Sequence, residues 1–426
     1  MCIRDSLYAE LGEVLAASGR GRDAAESFLA AAERSKGESV QKLRRRAGEQ
    51  LVRSGYLDAG MTVLRENLAL HGIHLPSSTQ VSAALGMLRR RYVDLRGLSA
   101  NLRAEQSCHP AELELQDTLF AAMLGFSMSD VARAADLQSR QMLAALRSGE
   151  PFRLARTLLL DAAFWSTLGA RCHARNQEYI EAAMAIARRY PSAQLDAYVF
   201  MSSGVNAYLE GRFFAARYLL KEAEQRMRKF NGVAWEMEVL TRYLLNAEIF
   251  LGEFQETLER SDTLLRDALT RDDAYTESTM RPTILYFAEL LRDSPDAAWA
   301  HAEAAQVRWK NTGFHGQHYW IECAKLEVLL YTGRWSEVLA HVQKEWVRLT
   351  MTKMAPFHEF ARIMVRHRLG RAALAAAAVS QNPAQQQQQL SVCQALAEKL
   401  ESEQALWGRA LGWHLRAGIG AQQTRG

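Results

Sequence analysis

Residues 8–31 read YAELGEVLAASGRGRDAAESFLAA, and the spacing of eight of them decides the fold. Tyr8, Leu11, Gly12, Leu15, Gly19, Ala24, Phe28 and Ala31 fall where two antiparallel helices joined by a tight turn need them. Small residues such as Gly12 and Ala24 let the helices approach closely, and Leu11, Leu15 and Phe28 fill the space between them. Gly19 ends the first helix, because the left-handed conformation that closes a helix costs glycine least.

This spacing resembles the tetratricopeptide pattern position for position, and it recurs. Ala47, Gly48, Leu51, Gly55, Gly60 and Leu64 repeat it, as do Phe200, Ser203, Gly204, Ala207, Gly211, Ala216, Leu220 and Ala223. Weaker copies centre on Gly252 and Gly333. Between them Asp293 takes the glycine slot, followed by Ala298, Ala302 and Ala305, with Ser294-Pro295 as a capped helix start. The turns set a period. Gly211 to Gly252 is 41 residues, Gly252 to Asp293 is 41, Asp293 to Gly333 is 40, Gly333 to Gly370 is 37, and Gly19 to Gly55 is 36. The expected fold is all-α: a tetratricopeptide-like helical-repeat solenoid of antiparallel pairs, with units longer than the standard ~34 residues. Several turn glycines are followed closely by an aromatic (Tyr56, Phe213, Phe254, Trp335), which reads as a plug in the wedge between paired helices.

Working outward, residues 1–6 read as a non-native scar ahead of the first periodic helix, which implies a chain that begins further upstream. Residues 7–76 form the N-terminal repeats. In 77–170 the register is lost, with loops at 71–78 and 107–110 and degenerate helices elsewhere. Residues 171–379 form the main solenoid, 380–389 a glutamine-rich linker, 390–417 capping helices and 418–426 a frayed tail.

Composition agrees with a folded helical protein: 48% hydrophobic, 23% charged and only 8 prolines in 426 residues. The net charge of +4 does not call for nucleic acid. The arginine runs 44–46, 89–91 and 188–189 read as solvated helix faces, with no aromatics interleaved. Five scattered cysteines without a C-x-x-C pair suggest neither zinc nor disulfides, and a reducing compartment. No apolar run is long enough for a membrane span and no signal peptide is visible, so a cytoplasmic location is expected.

No catalytic centre is recognisable. Phosphate loop, kinase catalytic loop, G-x-S-x-G elbow and H-E-x-x-H are all missing. The pairs His71/His74 and His315/His318 lack partners at ligand spacing and read as loop histidines, so no metal, cofactor or catalytic residue is assigned. What remains is a surface. In a tetratricopeptide array the first helix of each pair lines the concave side. That register places Tyr198, Met201, Val205 and Tyr208 there, then Arg242 and Asn246, then Phe287, then Trp320 and Glu327. Such an aromatic groove suits a protein or peptide partner. The competing reading is that a tightly wound superhelix buries these rings.

Beyond the repeat, the chain resembles the C-terminal helical region of large bacterial serine/threonine kinase–ATPase signalling proteins. Leu43–Leu51 with Ser54-Gly55, Pro110–Leu113 with Gly125–Met128, Leu143–Pro151 and Leu369–Leu374 carry the resemblance. It implies a non-catalytic sensor or scaffold that controls kinase and ATPase domains of the same parent chain. The alternatives are a stand-alone tetratricopeptide adaptor and the sensor region of an ATPase-type transcription regulator. The latter calls for a C-terminal helix-turn-helix, which Leu390–Gly426 does not show.

Overall fold

The computed structural model describes residues 3–350 and 358–423, and among them there is no β-strand. The helices run α1 (Ile3–Ala17), α2 (Gly21–Arg34), α3 (Glu38–Arg53), α4 (Leu57–Leu70), α5 (Thr79–Arg96), α6 (Pro110–Ser129), α7 (Val131–Ser148), α8 (Pro151–Ser166), α9 (His173–Arg189), α10 (Ala193–Leu209) and α11 (Phe213–Met227). They continue with α12 (Ala234–Leu251), α13 (Gln255–Thr270), α14 (Ala274–Met280), α15 (Tyr286–Leu291), α16 (Pro295–Arg308), α17 (Gly316–Tyr331), α18 (Trp335–Thr350), α19 (Glu359–Val379), α20 (Pro383–Glu401) and α21 (Leu406–Gln423). Most helices pack on their sequence neighbours, so the chain is a string of hairpins. α14 and α15 are one helix interrupted by a π-helical turn, Arg281–Leu285. Pro282 sits in that turn; it has no N–H to give to a regular helical ladder, and the wider turn accommodates it.

Three hairpins are built alike. Gly12 faces the Phe28 ring, Gly48 faces Leu64 and Gly204 faces Leu220; a Cβ at any of the three would lie within 2.7 Å of the facing side chain. Each large residue follows its glycine by the same interval. The next positions in register, Ala31, Asn67 and Ala223, are wholly buried in all three. The turns expected at Gly19, Gly55, Gly211, Gly252 and Gly333 all have positive φ, and Asp293 substitutes with φ 55°.

Other expectations need correction. Gly370 is not a turn; it lies inside α19, where Leu415 of α21 packs on it. Glycine serves close packing and left-handed turns alike, and spacing alone does not separate the two uses. The glutamine-rich stretch is not a linker beyond its first residues. Asn382 caps α20 by accepting a hydrogen bond from the Ala384 amide at 2.9 Å, Pro383 opens the helix, and glutamine is a good helix former. The tail is helical to Gln423. Ser294 makes no capping bond, although Pro295 does open α16.

The degenerate region resolves into α5 to α8. Asp130 breaks the helical run and caps α7 through the Arg133 amide. The arginine runs are not uniformly solvated. Arg45 is buried between Glu49 and Glu114, and Arg90 is bonded to Asp161 at 2.9 Å; Arg188 and Arg189 are exposed as expected. No described helix is long and apolar enough to cross a membrane.

Candidate functional site

The array folds back so that segments about two hundred residues apart touch. The first seam joins the α3–α4 turn to the loops around α13–α14 and after α16. The Tyr56 phenol donates to Asp272 at 2.6 Å, and the Tyr275 amide donates to the Ser54 carbonyl at 3.2 Å. Asn311 acts as a clasp. Its carbonyl oxygen accepts from the Leu57 amide at 2.9 Å, and its amide donates to the Gly55 carbonyl at 2.8 Å. Asp58 accepts from the backbone and hydroxyl of Thr312, both at 3.0 Å. Gly55 is required here: at φ +89°, any Cβ would sit 2.5 Å from the Tyr275 nitrogen. Beneath the polar rim, Trp309 packs into a core formed by Val52, Leu57, Met61 and the α6 apolar face.

Charges line the same seam. Arg53 reaches Glu49 at 2.8 Å and Glu236 at 3.3 Å, and its guanidinium lies 5.1 Å over the Trp235 ring. Burial alone would lower its pKa; the two carboxylates outweigh burial and raise it. A buried acid pair, Glu238 and Asp273, shares the Thr276 hydroxyl. Burial and the Asp273 charge push the Glu238 carboxyl well above its ordinary range, against the opposing pull of Arg271.

The second seam is aromatic. Tyr208 and Phe213 meet Tyr243 and Phe250 of the next pair and Phe360 and Trp407 of the C-terminal helices, with ring centroids 4.4 to 6.2 Å apart. Trp407 lies against Gly211, and the Glu359 amide donates to the Thr167 carbonyl at 2.7 Å.

Of the nine residues read from sequence as a groove, Val205 is buried in the core that holds Tyr208, and the other eight are placed as follows. Tyr208 is 5% exposed at the centre of the aromatic seam, the burial that the tight-superhelix reading describes. Trp320 packs against the same core, edge-on to Tyr319. Tyr198 donates to Glu236 at 2.8 Å, and Met201 rests half-buried against the same core. Asn246 donates to the Arg242 carbonyl, while the Arg242 guanidinium stacks 4.2 Å over Tyr243. Phe287 meets Phe254 at 5.6 Å. Glu327 is clamped by Arg368 at 2.9 Å and Arg371 at 2.8 Å. Tyr208 and Trp320 thus pack on one core, to which the C-terminal rings Phe360 and Trp407 also belong. Sequence reasoning missed Asp58, Asn311, Glu359, Phe360 and Trp407. Tyr56 was noticed, but as a local plug rather than a tie to a distant turn.

One of the two histidine pairs resolves locally. His315 and His318 form a capping pair at the start of α17. The His315 amide donates to His318 Nδ1 at 3.1 Å, and Trp309 Nε1 donates to His315 Nδ1 at 3.1 Å. Among the described residues no group of three or more His, Cys, Asp or Glu is placed to hold a metal ion. Burial raises the Cys172, Cys323 and Cys393 thiols, the last to about 11, which keeps them protonated at neutral pH.

Comparison with protein-family models and with curated proteins finds no match to the chain.

Proposed function

We propose that the chain is a non-catalytic protein-interaction and regulatory element of tetratricopeptide type, serving as the sensor or scaffold part of a bacterial serine/threonine kinase–ATPase signalling protein. The observation that carries the regulatory half is the polar seam around Asn311. Its rim is held by a handful of hydrogen bonds between turns. Each such bond contributes only about 1 kcal/mol net, so a partner that favours another curvature can displace them. Small rotations accumulate along a helical array, and opening the seam would carry a local binding event to distant domains.

The kinase–ATPase half rests on the sequence resemblance. It is tested by reading the coding DNA upstream of the Leu7 codon. An open frame entering kinase and ATPase motifs is expected. An authentic start at that point would overturn the assignment in favour of a stand-alone adaptor. The regulatory half is tested by Asn311→Ala in the full-length parent, which should change its ATPase or kinase rate while helicity holds; an unchanged rate would overturn it.

A further inference from the structure

α5 is attached in an unusual way. It buries little: Ser82 and Gly86, which are small, and one apolar side chain, Val93, which joins the core beside Met142 and Leu146. Gly86 lies so close to α7 that a Cβ would be 3.2 Å from the Asp136 backbone. Arg89 is paired with buried Asp136, and Arg90 with buried Asp161 while lying 4.3 Å over the Phe164 ring. Ion pairs, one glycine contact and Val93 therefore hold this helix down, and most of its large apolar residues point the other way. Val81, Met87, Leu88, Tyr92 and Leu95 are between 48% and 76% exposed.

Their order is specific. Val81, Leu85, Leu88, Tyr92 and Leu95 follow spacings of four, three, four and three, the a/d seam of a coiled coil, about 21 Å long at 1.5 Å per residue. On that heptad the flanking e and g positions hold Arg89, Arg91 and Arg96 and no acid; Arg89 is neutralised by Asp136, which leaves Arg91 and Arg96 as the flanking charges. Arg91 is exposed and has no ion-pair partner among the described residues.

We propose that α5 is a docking helix for an amphipathic helix of a partner protein, one with an apolar heptad seam flanked by glutamate or aspartate. The inference rests on the reading of the chain as an interaction protein and supplies the chemistry of the partner. A second copy of the chain fits poorly, since pairing α5 with itself sets arginine flanks against arginine flanks. A lipid surface fits poorly too. Recruitment to anionic lipid uses clusters of about 4–8 free basic residues, whereas Arg89 and Arg90 are paired with Asp136 and Asp161, which leaves only Arg91 and Arg96 on this helix without an acidic partner among the described residues.

The test uses the whole chain and two labelled synthetic helices of about three heptads, identical at a and d, one with glutamate and one with lysine at e and g. Fluorescence anisotropy should show the glutamate helix binding about tenfold more tightly. Leu88→Asp should abolish binding, and Arg91→Glu should reduce or invert the preference; circular dichroism verifies that both variants stay folded. Equal binding of the two helices, no saturable binding, dimerisation lost in Leu88→Asp, or Leu88-dependent sedimentation with phosphatidylserine vesicles would each overturn the proposal. Those failures would leave the seam reading standing, because Asn311 and its partners lie outside α5.

Discussion

Gly55 and Gly37 share a positive φ, at +89° and +67°, but only Gly55 is pressed against another turn; nothing lies within 4 Å of a Cβ at Gly37. Alanine at Gly37 should cost about 1 kcal/mol from backbone conformation alone. Alanine at Gly55 should cost clearly more, because the Tyr275 backbone must move. Chemical denaturation of both variants checks this; equal losses would mean that the seam bears no load. Tyr208→Ala should cost about 3–5 kcal/mol as a large-to-small change in a packed core. It therefore serves poorly as a binding-only variant, whereas Leu88, being exposed, serves well.

At the scale of elements, buried histidines and acids set the response to pH. Burial, with His318 beside it, pushes His315 down to about 4; burial, with Arg242 and Arg362, does the same to His358; burial, with Arg371 and His414, takes His367 to about 3. A depressed histidine binds fewer protons folded than unfolded. Its stabilising contribution is complete above the unfolded pKa of about 6.5 and is lost as pH falls toward the folded value. The melting temperature should therefore drop between pH 7 and pH 4.5, and a flat profile would contradict the placement of these rings. Glu238 has the opposite sign: its raised pKa makes its contribution complete at low pH and lost as pH rises. Glu238→Gln should raise the melting temperature near pH 8 relative to the parent and give little gain near pH 5; parallel curves at both would refute the burial of Glu238 beside Asp273.

Elements were also what the sequence displayed best. The glycine-to-large interval of Gly12/Phe28, Gly48/Leu64 and Gly204/Leu220 lies within one hairpin, so local spacing revealed it. The α5 heptad was equally present in the sequence, but periodicity does not say whether an apolar stripe faces inward. That depended on Arg89 and Arg90 finding Asp136 and Asp161, 47 and 71 residues away.

Across the whole molecule, the surface of 19267 Å² is about a fifth more than the roughly 16,000 Å² of a compact globule of 47.9 kDa. The chain keeps its hairpin-array character yet closes on itself at two seams. Those seams were illegible because their partners, such as Leu57 with Asn311 and Gly211 with Trp407, share no period and no motif. Tyr208 was in turn misleading as an open-surface residue, because what fills the space before it comes from Phe360 and Trp407.

The measurement that bears most directly on the interlocked array is small-angle X-ray scattering of the parent chain and of an Asn311→Ala/Gly55→Ala variant, with helicity followed in parallel. The account predicts a larger radius of gyration for the variant at unchanged helix content. An identical radius in the two proteins would contradict it.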